Sequence, residues 1–319
     1  MNHLHNLAVV GYTIIGPIVV LVGLGYIFGR RIPGAAVVLT KVFLYILLPA
    51  FLFLRVLAAN VETSAYGYIV LFSVAMLVLM YAVSRGLSLL RRHDRPLRGA
   101  FINSAMFYNS ANFAIPVMTL AFGADEKVQS YAIAIQSVVA ICQGIGAYTI
   151  GGLIAAAGSG RAGHAIMKVL KMPYLYAIAL AFLFKGFGGT EEALKQVTIL
   201  WEPLRIVSPA YVPVALMSLG AQIATTSVVR MPADLSIIAA VRLLVGPVCG
   251  LGLVHLLGLS GTLAQVLVIG VAGPTAIAAA VVAFEFKNRP DFASSAVLVS
   301  TLAAGLTVPL TIFLVRNLL

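Results

Sequence analysis

Apolar stretches of about 20 residues, the length a helix needs to span a bilayer, recur along the whole chain with only short polar breaks between them. The solvent for most of this chain is therefore lipid. Of its 319 residues 61% are hydrophobic and 10% charged, a balance that a water-soluble core and its polar shell cannot produce together. The spans read as residues 9–28, 36–58, 67–90, 99–123, 128–156, 173–187, 199–225, 235–257, 261–286 and 291–317. This predicts an all-α membrane protein of ten transmembrane helices, with no soluble domain between them. The first span follows Met1-Asn2-His3-Leu4-His5-Asn6, which lacks a positive n-region, and is longer than a signal-peptide core, so it is expected to stay as a helix.

A net charge of +11 raises the question of nucleic acid, but the basic residues sit in short loops rather than on one stripe or tail. They read as topology signals, with no nucleic-acid partner. The odd-numbered loops hold Arg30, Arg31, Arg91, Arg92, Arg95, Arg98, Arg161, Lys168, Lys171, Arg230, Lys287 and Arg289, against Lys127, Lys185 and Lys195 in the even ones. By the positive-inside rule the odd loops are cytoplasmic. An even helix count then puts both termini on the extracytoplasmic side of the cell (inner) membrane, together with Glu62, Asp125, Glu126, Glu191 and Glu192. Cys142 and Cys249 fall inside apolar spans and read as small buried hydrophobes, not as a disulfide or metal site.

Two features recur at about half the chain length. Pro49-Ala50-Phe51 returns as Pro209-Ala210-Tyr211, and Ile115-Pro116 returns as Gly273-Pro274. Both matches fall in equivalent spans, the second with the seventh and the fourth with the ninth. A five-plus-five repeat follows, with residues 1–156 and 173–319 as its halves and 157–172 as a cytoplasmic linker. Because five is odd, the second half enters the membrane upside down, the inverted plan common among secondary transporters.

Each half carries one broken helix. A proline inside a helix removes a donor and clashes with the preceding turn, and in lipid the freed carbonyls need protein or a water-filled cavity. Pro116 follows the polar run Asn103 to Ile115, too costly to face lipid, so Asn109, Ser110 and Asn112 are expected to point inward. Around Pro274 the glycines of Gly270-Val271-Ala272-Gly273-Pro274-Thr275 permit unwound backbone. If the breaks cross near the membrane middle, two half-helix N-termini converge there and favour an anion. The expected substrate site is thus Asn109, Ser110, Asn112, Ile115, Pro116, Gly273, Pro274 and Thr275. Gln136, Ser137, Arg242, Glu285, Ser300 and Thr301 are further candidates for substrate contact or coupling. Plain kinks stabilised by Ser and Asn are the competing reading of the same residues.

These motifs resemble the auxin efflux carrier family, which includes the plant PIN auxin exporters and bacterial permeases for malate, malonate or related acids. Asn109 to Pro116 is similar to its Asn-rich segment ending in Ile-Pro. Gly273-Pro274-Thr275, Ala283-Phe284-Glu285-Phe286, Asp291 to Ser295, Ser300-Thr301 and Thr307 to Leu310 are similar to its C-terminal signature. The resemblance covers nearly the whole chain. It implies the fold of bile-acid sodium symporters, with helices 1, 2, 6 and 7 as an often dimeric scaffold and helices 3–5 and 8–10 as a mobile transport domain moving like an elevator. It also implies a carboxylate at the crossover, with Asn109, Pro116 and Pro274 at the crossover positions. The third helix has no acidic residue where plant PIN carriers have one beside the substrate, and the long plant loop is missing.

The leading expectation is a secondary transporter of small organic anions, with a sodium-coupled organic-anion symporter or an anion channel as alternatives. No cofactor or metal is expected. The chain lacks Gly-x-x-x-x-Gly-Lys-Ser/Thr, His-Glu-x-x-His and Gly-x-Ser-x-Gly, so neither ATP use nor an intramembrane enzyme is indicated. Arg242, about two turns into the eighth helix, reads as a snorkelling or scaffold residue or as one that meets an anion. Glu202 and Arg205, one turn apart, are expected to pair.

Overall fold

A computed structural model describes residues 12–13, 16–59, 61–156, 173–226 and 229–319. The expected linker 157–172, with Arg161, Lys168 and Lys171, and the start of the first span lie outside the described residues. The described chain is helical, with no strand beyond one isolated bridge. Its elements are α1 (Gly16–Arg31), α2 (Ala35–Ala58), α3 (Thr63–Leu90), α4 (Arg95–Met106), α5 (Ile115–Ala121) and α6 (Glu126–Ala156), then α7 (Pro173–Gly186), α8 (Glu191–Lys195) and α9 (Thr198–Thr225). The chain continues with α10 (Pro232–Leu256), α11 (Gly261–Val271), α12 (Ile277–Glu285) and α13 (Pro290–Leu318). Six of them, α2, α3, α6, α9, α10 and α13, are long and apolar enough to cross a membrane.

Proline sets the local irregularities. Pro49, Pro116 and Pro247 each lie two positions past a five-residue π-turn, at Phe43–Leu47, Ser110–Ala114 and Val241–Val245. A proline ring clashes with the carbonyl four residues back, and widening the turn carries that carbonyl away. The N–H groups of Leu48, Ala114 and Gly246 accordingly bond carbonyls five residues back, on Phe43, Asn109 and Val241. Such turns cluster at functional sites, and two of these three abut the crossing described below.

Helix ends gather at two opposite poles. At one, Arg91 pairs with Asp234 (3.1 Å), Arg289 with Asp94 (3.3 Å), and Asn288 donates to the Ala155 carbonyl (2.8 Å). At the other, Arg55 meets Glu126 at 3.5 Å, Lys185 donates to the Ala59 carbonyl and Arg316 to that of Ala121. Between the poles the distribution of polarity is that of a protein in lipid. Val19, Leu24, Val70, Val78, Leu302 and Leu306 face outward, whereas Ser73, Ser84, Gln136, Gln143 and Arg242 are buried.

Two helices approach unusually closely. On α1, Gly25 and Gly29 stand four apart, the small-xxx-small spacing that lets helix backbones touch. They face α9, where a Cβ on Gly220 would overlap the Val22 carbonyl and one on Gly29 would lie 2.7 Å from Ala221 Cα. α2 joins this pair through Thr40, whose hydroxyl lies 2.9 Å from that of Ser218 and accepts from Gln222 (3.0 Å). It also joins through Phe51, which stacks on Tyr211 with ring centroids 4.6 Å apart. These two aromatics end the two Pro-Ala-aromatic triplets, so the triplets meet at this stack.

Candidate functional site

α4 and α11 are 12 and 11 residues long, about 18 and 16 Å, roughly half a bilayer. Each stops where the sequence prepares a break, and each is followed by extended backbone: Phe107 has φ −100°, ψ 131° and Ala276 φ −67°, ψ 139°. The two extended segments lie antiparallel, with Tyr108 opposite Thr275. Asn109 N–H donates to Pro274 O at 2.8 Å and Ala276 N–H to Phe107 O at 2.9 Å. Backbone groups released by one break are thus satisfied by the other, which is how unwound chain is tolerated away from water.

Side chains complete this crossing. Thr275 donates its hydroxyl to Ser104 O (2.9 Å) and its N–H to the Ser300 hydroxyl (3.0 Å). Gln136 Nε2 donates to Ser110 O (3.1 Å), and Asn103 Nδ2 to Gly151 O (2.9 Å). Asn109 Oδ1 accepts the Asn112 N–H at 3.1 Å and so caps the turn that leads into α5. Its Nδ2 is buried with no hydrogen-bond partner among the described residues, as are Gln136 Oε1, Thr301 Oγ1 and Arg242 Nε. Ala111, Asn112, Ile277 and Ala278 are only partly buried, so the crossing opens on that side. There Tyr211 of α9 donates its hydroxyl to the Ala111 carbonyl at 2.8 Å.

Arg242 sits under the crossing and is fully buried. It therefore does not snorkel: protein encloses its guanidinium. Its Nη1 donates to Ala105 O at 2.9 Å and its Nη2 to Val271 O at 2.8 Å, the last-turn carbonyls of α4 and α11. Met106 O lies 3.5 Å from Nη1, and the guanidinium stands over the Tyr108 ring at 5.2 Å.

Of the residues singled out in the sequence, Asn109, Ser110, Asn112, Gly273, Pro274 and Thr275 come together here, with Gln136 and Ser300 against them. Ile115 and Pro116 are buried at the entry to α5. Ser137 is spent on its own helix, donating to Ile133 O at 2.6 Å. Glu285 ends α12 and is exposed, a full helix length away from Thr275. Glu202 and Arg205 pair as expected, at 2.6 Å.

One buried polar group carried no local signal in the sequence. Asp234 accepts from Arg91 and lies 3.1 Å from His93 Nε2, while His93 Nδ1 lies 3.1 Å from the Ser88 hydroxyl. It ties the α3–α4 loop to the start of α10 across 141 residues, and only the opposite charges at two loop ends hinted at it. A cavity of about 370 Å³ opens near the other pole, lined by Ala58, Lys127, Val128, Tyr131 and Thr262.

Residues 162–312, which include the second broken helix, match the family model described as membrane transport protein. The matched segment takes in most of the second half of the chain. Along most of its length it is also similar to a protein of Methanothermobacter thermautotrophicus described as an uncharacterized transporter, 26% identical over 311 residues, covering 92% of this chain and 94% of that one. As a multi-pass membrane transporter, the protein has in the crossing of α4–α5 with α11–α12 a polar, partly open centre within an otherwise apolar body.

Proposed function

We propose that this transporter carries small organic anions, carboxylates such as auxin-like or dicarboxylic acids, as a secondary carrier with the anion held at the crossing. The observation that carries this reading is the pairing of the two breaks beside an unpaired, buried Asn109 Nδ2. Two half-helix N-termini start directly after the paired segments, at Ser110 and Ile277. Their partial positive charge suits a carboxylate, and the Asn109 amide adds a donor.

In this reading ten segments cross the membrane, α4 with α5 and α11 with α12 each counting as one. The halves 1–156 and 173–319 form an inverted repeat, for which the Phe51–Tyr211 stack and the paired breaks speak. α1, α2, α7 and α9 form the scaffold and, in a homodimer, its interface; α3–α6 and α10–α13 form the transport domain. The anion reaches each side in turn as the transport domain slides past the scaffold like an elevator. Both termini then lie on the extracytoplasmic side of the cell membrane, with the Arg91–Asp94 pole inside.

A sodium-coupled version has one observation in its favour. Oxygens of Asn103, Ser104, Gln136 and Thr301, all near the crossing, are buried without hydrogen-bond partners among the described residues, and a small cation takes such oxygens.

The test is counterflow in proteoliposomes with malonate, malate, benzoate and indole-3-acetate, with and without sodium or pH gradients. Wild type is expected to show saturable exchange of at least one acid. Folded Asn109→Ala and Pro274→Ala variants are expected to lose most of it. Unchanged exchange in both would place the site elsewhere, and large unitary currents would mean a channel.

A further inference from the structure

Four half-helix ends meet at the crossing, and their partial charges cancel. The N-termini entering α5 and α12 carry about half a positive elementary charge each, while the C-termini of α4 and α11 carry about half a negative one each. An anion arriving at such a balanced point gains from the N–H groups it touches but little from the surrounding field. Arg242 unbalances it. Its guanidinium bonds the last-turn carbonyls of both C-termini, Ala105 at 2.9 Å and Val271 at 2.8 Å, so one full positive charge rests on the two negative ends.

The placement is built in. Arg242 lies on the π-turn that Pro247 imposes, and a Cβ at position 246 would stand 3.1 Å from its Nη2 and 3.3 Å from Val271 O, so glycine leaves the guanidinium its room. A neutral amide could cap the same carbonyls without burying charge. Burying an ion costs several kcal/mol unless it is compensated, and among the described residues Arg242 meets carbonyl oxygens and an aromatic face rather than a carboxylate.

We infer that Arg242 sets the charge selectivity of the site: by neutralising the C-terminal ends of α4 and α11, it leaves the N-terminal ends facing the ligand as a net positive field. Arg242 is thus a positioning residue that acts through the helix ends and does not touch the substrate. The inference rests on the crossing being the substrate site.

The test measures binding to purified transporter in lipid nanodiscs for malonate, benzoate and indole-3-acetate, each beside its neutral amide. In wild type at least one acid is expected to bind tenfold or more tighter than its amide. In Arg242→Gln the acid weakens roughly tenfold per negative charge, the effect of a unit charge at about 10 Å and an effective dielectric near 20, while the amide is unchanged. Arg242→Lys retains the acid-to-amide ratio. A merely structural role would weaken acid and amide alike. An unchanged ratio in Arg242→Gln, or a wild type that binds amides as tightly as acids, overturns the inference. If Asn109→Ala abolishes binding while Arg242→Gln keeps the ratio, the site reading stands and this inference fails. A wild type that binds none of the acids sinks both.

Discussion

Asn109→Asp separates the two roles of this side chain. Oδ1 caps the turn into α5 by accepting the Asn112 N–H at 3.1 Å, whereas the buried Nδ2 has no partner among the described residues. A carboxylate keeps the first function and reverses the second, replacing a free donor with a negative oxygen. Losing a hydrogen bond to a charged ligand is worth about 1.5–3 kcal/mol. Repulsion between two unit charges about 4 Å apart at an effective dielectric near 20 adds about 4 kcal/mol. Carboxylate affinity should therefore fall by at least about tenfold from the lost donor alone and by roughly 10³ or more with the repulsion. Thermal stability should fall as well, because a buried carboxylate is costly unless compensated, so affinity is compared on variants whose melting curves show a folded protein; Asn109→Ala, which loses only the cap, should lose about 1 kcal/mol. The assay is calorimetric binding of the transported acid beside a melting curve in the same detergent. Wild-type affinity in a well-folded Asn109→Asp variant would refute the assignment of Nδ2 to the ligand.

Three other expectations follow from particular contacts. Gly220→Ala forces a methyl group into the Val22 backbone, a clash no rotamer relieves, and should lower the melting temperature by the equivalent of about 1–3 kcal/mol or more; Gly23→Ala, with open space around it on α1, should be neutral or stabilising, and equal melting of the two would contradict the close α1–α9 approach. Tyr211→Phe removes one hydrogen bond, worth about 0.5–1.5 kcal/mol, between α9 and the Ala111 carbonyl; counterflow rates should shift by up to about tenfold with little change in melting, and an unaltered rate would mean that the bond does not break during transport. Asp94 accepts the Leu97 N–H at 2.9 Å, and that bond, ahead of the Arg289 pair, holds its carboxyl below the ordinary 3.8. Its stabilisation is present above pH 3.8 and lost as the pH falls through the lowered value, so the melting gap between wild type and Asp94→Ala should close in acid and stay flat above it.

What the sequence disclosed was what local chemistry can announce. A proline after a polar run, or between glycines, breaks a helix whatever surrounds it, and so Pro116 and Pro274 mark the crossing without any knowledge of tertiary structure. The inward turn of Asn109 and Ser110 followed from the cost of facing lipid. The role of Arg242 did not, because its carbonyl partners lie 137 and 29 residues away and a lone arginine two turns from a helix end looks like one that reaches for water. Burial decided otherwise. The Asp234–His93 contact was hidden for the same reason, and the π-turns before Pro49 and Pro247 because hydropathy is blind to a one-residue change in turn width. Gly25 and Gly29 were visible as a spacing, but only the facing Gly220 gives that spacing a partner.

The most direct test of the central claim is to find where the carried acid sits. With Cys142 and Cys249 replaced by serine, single Ala111→Cys, Ala278→Cys and Thr262→Cys variants are labelled with a membrane-permeant maleimide, with and without the acid. The account predicts saturable protection at positions 111 and 278, which flank the open side of the crossing, and none at 262, which lines the separate cavity near the pole. Protection at 262 with full labelling at 111 and 278 would contradict it.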